Sequence, residues 1–175
     1  MRKLILGLAV SLDGFIEGPN GEYDWCFTDQ DYGMSEFFKR VDAMFIGRKS
    51  YELMQSMGED TVPGMPKLKE YVFSTTMTEV KNDSVLIRDN VEEEVKRIKN
   101  SPGKDIWLFG GASLTASLMN AGLVDEFWLS VHPIILGSGK PLFHGINGRV
   151  SLDLVHTKPY STGLVSLTYR LPSKK

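Results

Sequence analysis

Three short segments bring glycine, hydroxyl and cationic residues to the ends of apolar runs, a combination suited to phosphate. The first, Gly110-Gly111-Ala112-Ser113, follows Ile106-Trp107-Leu108-Phe109 and opens a helix-like stretch, Ala112–Asn120, with Leu114, Leu118 and Met119 at helical spacing. Neither glycine carries a Cβ, so the backbone can approach a ligand closely, and a helix N-terminus offers unpaired N–H groups with a partial positive charge. The second is Gly47-Arg48-Lys49-Ser50, behind Met44-Phe45-Ile46. Two cations at a helix start oppose its dipole by about 0.3–1 kcal/mol each, a sign that a bound anion reverses. The third, Phe73-Ser74-Thr75-Thr76, puts hydroxyls at the end of an apolar strand, where ligands of open α/β sheets bind. Each segment also has a plainer reading: a tight turn, solvated cations, or hydroxyls capping a turn. One ligand carrying several phosphates accounts for all three together.

Other patterns fail on spacing. Gly110-Gly111 lacks the later glycine of G-x-G-x-x-G. Gly137-Ser138-Gly139-Lys140 ends like a P-loop, but Ile134 stands where the first glycine belongs and Pro141 where Ser or Thr belongs, so it reads as a turn. His132, His144 and His156 have no metal-ligand spacing and read as structural or surface residues, so no metal is expected.

The elements that must position these segments alternate in type. Lys3–Val10, Ala43–Ile46, Tyr71–Thr75, Ser84–Ile87 and Glu126–Leu136 read as strands, and Met34–Arg40, Lys49–Met57 and Val91–Lys99 as helices. Ser11–Tyr32 reads as a long functional loop and Gly58–Lys67 as a second loop. Val150–Thr157 and Leu164–Leu171 flank the turn Ser161-Thr162-Gly163 as an antiparallel hairpin. This order predicts an α/β fold, a mostly parallel sheet covered on both faces with an antiparallel end, in a single domain spanning residues 1–175.

Composition excludes several classes. Twenty Lys and Arg against 22 Asp and Glu leave a net charge of −2, with no basic run for nucleic acid. Cys26 is the only cysteine, so no disulfide framework forms. The apolar stretch from Leu4 stops at Ser11-Leu12-Asp13, too short for a signal peptide or a membrane span, so a cytoplasmic protein is expected. Asn82-Asp83-Ser84 matches a glycosylation pattern and reads as chance.

These residues, in this order, resemble the dihydrofolate reductase fold family, a three-layer sandwich, and most of all its riboflavin-biosynthesis branch: the pyrimidine reductase domain and its stand-alone relatives. The likeness runs through Ala9-Val10-Ser11-Leu12-Asp13-Gly14, the loop Ile16–Trp25, Ile46-Gly47-Arg48-Lys49-Ser50-Tyr51, Phe109-Gly110-Gly111-Ala112-Ser113-Leu114, Leu123–Glu126 and Pro133–Leu142. The resemblance implies NADPH as cofactor. Ala9 and Ile16 would flank its nicotinamide. Gly47, Arg48, Lys49 and Ser50, with Gly110, Gly111, Ala112, Ser113 and Leu114, would hold its pyrophosphate, and Phe109 would join the cofactor-binding segment. Ser74, Thr75 and Arg48 would meet the 2′-phosphate, where a guanidinium suits phosphate.

The same resemblance implies hydride transfer to a small nitrogen heterocycle, the pyrimidine of riboflavin synthesis (a 5-amino-6-(5-phosphoribosylamino)uracil reductase-like activity) or a pteridine-like relative. The substrate would lie between the Asp13–Tyr32 loop and the helix carrying Phe37 and Phe38, with Asp13 and Trp25 at hand. A homodimer is expected, from the branch and from the apolar run Phe127–Leu136. Counting forward from Trp25 places the proton-donating acid of folate reduction at Asp31, buried with a raised pKa; counting back from Phe37-Phe38-Lys39-Arg40 places it at Met34. A non-catalytic NADP(H)-binding sensor is the alternative function.

Overall fold

Leu4, Leu6 and Phe45 face one way along their strands while Ile5, Met44 and Ile46 face the other, so both faces of the sheet must be covered. The computed structural model describes residues 1–58, 62–81 and 83–173. Asn82 of the glycosylation pattern and positions 59–61 of the 58–67 loop lie outside the described residues. In chain order the elements are β1 (Leu4–Ser11), β2 (Phe15–Glu17), α1 (Met34–Arg40), β3 (Val41–Gly47), α2 (Arg48–Met57), β4 (Lys69–Phe73), β5 (Val85–Ile87), α3 (Val91–Asn100), β6 (Asp105–Gly110), α4 (Ala112–Asn120), β7 (Glu126–His132), β8 (Lys140–Pro141), β9 (Asp153–Pro159) and β10 (Val165–Arg170).

One eight-stranded sheet has the order β5-β4-β3-β6-β1-β7-β10-β9. From β5 through β7 every neighbouring pair is parallel; β10 returns antiparallel to β7, and β9 pairs with β10 as a hairpin. Phe37 and Phe38 of α1 and Tyr51 of α2 pack with Ile5, Met44, Val72 and Trp107 on one face. Val95 and Ile98 of α3 and Leu114 and Leu118 of α4 pack with Leu4, Phe45, Leu108 and Phe127 on the other. This is the expected three-layer sandwich. Burying each such side chain contributes roughly 1.5–3 kcal/mol, enough to hold the strand ends at a fixed spacing.

Gly7 makes room beneath α1. A Cβ there would meet Trp107, Trp128 and Phe37 at 3.1, 3.3 and 3.4 Å. Phe37 stacks on Trp128 at 4.5 Å, and the Trp107 indole N–H donates to the Gly7 carbonyl at 2.8 Å. The opposite, N-terminal edge of the sheet is closed by ion pairs, Arg40 to Asp105 and Glu126, and buried Lys99 to Asp125. Chemistry is therefore left to the carboxyl ends of the strands.

Several boundaries differ from the sequence reading. The last strand of the apolar run stops at His132, and Ile135 beyond it is 70 % exposed. Within β7 the apolarity is consumed by burial: Phe127 and Leu129 are core residues, and the strand is paired on both edges. It therefore gives no argument for a subunit interface. The long loop contains β2, whose partner β8 comes from the segment read as a plain turn. Strands of two or three residues carry too little periodicity to show in sequence. β9 begins at Asp153, and all seven of its residues are exposed.

Among the described residues no helix is long and apolar enough to cross a membrane, and no group of three or more His, Cys, Asp or Glu is arranged to hold a metal.

Candidate functional site

Neighbouring strands β3 and β6 both end in glycine, and each feeds a helix at once. Gly47 caps α2 and Gly111 caps α4; neither helix has a side-chain cap or an acidic residue in its first turn. The two helix starts touch. A Cβ on Gly47 would lie 3.5 Å from the Gly111 nitrogen and 3.7 Å from the Gly110 oxygen, and one on Gly111 would lie 3.4 Å from Ser50 Oγ. Gly110 has a φ of 122°, a conformation side-chain-bearing residues rarely adopt, and the Gly110–Gly111 peptide is cis. Two sets of unpaired N–H groups and two positive dipole ends thus converge, with Lys49 and Ser113 exposed beside them and Ala112 and Leu114 buried beneath. This donor set fits a diphosphate.

One strand further out, Ser74 Oγ accepts from the N–H groups of Thr76 and Met77 at 3.2 and 3.0 Å, so it caps its own turn while Thr75 stays exposed. Arg48 Nη1 donates to both Glu52 oxygens at 3.2 and 3.1 Å. A cation that the sequence reading did not single out stands here instead. Arg88 Nη2 donates to the Thr75 carbonyl at 3.4 Å. The available signal was its place directly after the short strand Val85-Leu86-Ile87.

On the other side of the glycine pair, half-buried Ala9 of β1 lies in register with Ser130 of β7. Phe109 packs edge-on against Trp107, and Ile16 packs against the α4-side core. The segment carrying Ile16 is sewn to the 134–142 loop. Leu12 N–H donates to the Ile134 carbonyl, Leu142 N–H to the Gly14 carbonyl, and Asp13 accepts from Ser11 Oγ and from the N–H groups of Leu136 and Gly137. Desolvation pushes the Asp13 carboxyl up, but the hydrogen bonds from Ser11, Gly137 and Leu136 outweigh it and hold the group below its ordinary value. In this structure Asp13 shapes the loop.

Trp25 and Phe27 fold over His132, with ring centroids 5.3 and 5.1 Å away. His132 Nε2 accepts from the Phe27 N–H at 3.1 Å, which assigns the proton to Nδ1, 2.9 Å from the Ser130 carbonyl. Burial pushes its pKa below the ordinary value, against the opposing pull of the Ser130 bond. Because the unfolded chain titrates near 6.5, it binds more protons than the folded one just below that pH. Stability is then full above about pH 6.5 and declines as pH falls toward the lower folded value. Thermal melts across pH 5 to 8 should show this decline in the wild type and a flatter profile in His132→Gln; superimposable profiles would remove His132 from the account.

Two expectations are corrected. Asp31 is exposed, not buried: its carboxylate accepts from Ser35 Oγ, Ser35 N–H and Gly33 N–H at the start of α1. The Ser35 hydroxyl, chiefly, lowers its pKa, the reverse of what a proton donor needs. Phe38 is 9 % exposed and packs on Phe37 and Trp107, so it belongs to the core beneath α1. Met34, at the other count, has a thioether side chain with no ionisable proton to donate.

The RibD C-terminal domain family model matches residues 2–166. The chain is 49 % identical over 177 residues to the uncharacterized protein YyaP of Bacillus subtilis (strain 168), covering 96 % of this chain and 94 % of YyaP. It superposes with a TM-score of 0.83, at 25 % identity, on the "Putative riboflavin biosynthesis protein" of Shewanella sp. PV-4, over 99 % of this chain and all (100 %) of that one. Dihydrofolate reductase from Enterococcus faecalis, complexed with NADP(H) and RAB-propyl, shares the fold with a TM-score of 0.70 at 18 % identity, over 98 % and 97 % of the two chains.

Proposed function

The chain belongs to the RibD C-terminal domain family, and on that premise we propose that it is an NADPH-dependent reductase acting on a small nitrogen heterocycle, either the pyrimidine of riboflavin synthesis or a related pteridine-like compound. The observation that carries this reading is the pair of helix starts, neither with a side-chain cap, meeting at Gly47 and Gly111. When bound, NADPH supplies a hydride from C4 of its nicotinamide.

The chain's own residues bind and orient. The N–H groups behind Gly47 and Gly111, with Lys49, Ser50 and Ser113, hold the diphosphate. Ala9 and Ile16 bracket the nicotinamide, and Phe109 and Leu114 support that wall. The Trp25–Phe27 segment, seated on His132, covers the heterocycle and excludes water. Holding reacting atoms about 3–3.5 Å apart supplies most of the acceleration. Asp31, ionised at neutral pH, donates no proton, so the proton that follows the hydride comes from water. The proposal includes a homodimer working in the cytoplasm.

Titrating tryptophan fluorescence with NADPH and NADH, then screening pteridines, pyrimidinones and quinones for NADPH consumption, tests the reading. Binding with coupled product formation is the expected result. Failure of both nucleotides to bind below millimolar concentration overturns it. Tight binding without turnover of any acceptor favours the non-catalytic NADP(H) sensor, a reading that the exposed, low-pKa Asp31 favours.

A further inference from the structure

We propose that Arg88, not Arg48, selects a 2′-phosphorylated adenosine, its guanidinium holding the phosphate against the hydroxyls at the end of β4. The inference rests on the NADPH reading and concerns which side chain sets cofactor choice. Parallel strands are spaced about 4.8 Å apart, so a dinucleotide with its diphosphate over β3 and β6 carries its adenosine ribose out over β4 and β5. Arg88 is placed there. Ile87, the residue before it, accepts a hydrogen bond from Ser74 N–H, so the ends of β4 and β5 are tied side by side. The Arg88 guanidinium then crosses to β4 and rests on the Thr75 carbonyl. Ser74 Oγ and Thr76 Oγ1 lie 3.4 Å apart in the same turn, and the Thr75 side chain is exposed.

Arg48 is less suited to the task. Both oxygens of Glu52 engage its guanidinium, and a carboxylate at that position repels an arriving phosphate. Among the described residues Arg88 makes no ion pair, so beyond its contact with the Thr75 carbonyl its fork can donate to phosphate oxygens. Phosphate accepts paired donors from a guanidinium and only point contacts from an ammonium.

Calorimetric titration of the wild type, Arg88→Ala, Arg88→Lys and Arg48→Ala with NADPH, NADH and adenosine 2′,5′-bisphosphate tests the assignment. Arg88→Ala should weaken NADPH and the bisphosphate by about ten- to a hundredfold, as loss of one charge-assisted contact implies, and leave NADH unchanged. Arg88→Lys should fall between, and Arg48→Ala should change NADPH less than Arg88→Ala does. Wild-type NADPH affinity in Arg88→Ala, or equal weakening of NADPH and NADH, overturns the assignment. If the wild type binds NADPH and NADH equally, the reductase reading stands and this inference falls. If the wild type binds neither, both fall.

Discussion

Replacing Gly47 with alanine should weaken NADPH binding by about ten- to a hundredfold while moving the melting temperature by no more than roughly 2–4 °C. The methyl group fits the unliganded chain. Gly47 has φ −77° and ψ 160°, which any residue adopts, and the nearest atom to the new Cβ would be the Gly111 nitrogen at 3.5 Å. Alanine caps a helix less well than glycine, and its smaller unfolded-state entropy offsets that by about 0.4–1 kcal/mol. The folded state is therefore nearly indifferent to the change. A phosphate is not, because the methyl group occupies the gap through which its oxygens would reach the N–H groups of both helices. Calorimetry with NADPH beside thermal melts reads the two quantities separately. Unchanged affinity would put the diphosphate elsewhere and remove the basis of the cofactor assignment.

What sequence made legible follows from the range of the forces involved. The strand-to-helix joints at Gly47 and Gly110 could be read because apolar runs, glycines and helical spacing are local patterns. So could both faces of the sheet. Most of the failures are non-local, and Asp31 is the local exception. Phe127–Leu136 looked like an interface because an apolar strand reads alike whether a neighbouring strand or another subunit covers it. β2 and β8 exist only as partners of each other across a long stretch of chain, Phe15 opposite Pro141 and Glu17 opposite Lys140. Asp31 lies at the right count from Trp25, yet its environment was set by Ser35 and Gly33 rather than by a buried pocket. Arg88 was passed over because its meaning depends on Thr75, which only the pairing of β4 with β5 brings alongside. Charge at a strand end is visible in sequence; the partner that ties it up or leaves it free is not.

Gly139→Ala should be the more damaging glycine substitution, and it should damage catalysis rather than cofactor affinity. Gly139 has a φ of 145°, and a Cβ there would lie 2.2 Å from the Glu17 carbonyl oxygen and 3.2 Å from Gly18 Cα. These are backbone atoms that cannot swing aside. The seam must open instead, separating β2 from β8, the Lys140–Glu17 pair at 3.7 Å and the bond from Leu142 N–H to the Gly14 carbonyl. Strain and overpacking of this kind cost about 1–3 kcal/mol, or roughly 2–12 °C in melting temperature for a chain this size. Because β2 carries Ile16, which the proposed function sets beside the nicotinamide, a shift of about 1 Å there should lower kcat/KM with any acceptor found by screening about a hundredfold. NADPH affinity should hold, since the clamp on β3 and β6 is untouched. Gly137→Ala is the comparison: its φ of 75° also strains a side-chain-bearing residue, though less than 145° does, and nothing lies within 4 Å of the added Cβ. A loss of turnover in Gly139→Ala that Gly137→Ala lacks reads the seam together with the harsher backbone conformation at Gly139. Equal melting temperatures and equal turnover in both would mean that the 134–142 loop does not hold β2 in place, and that the roof of the site is positioned by His132 and Asp13 alone.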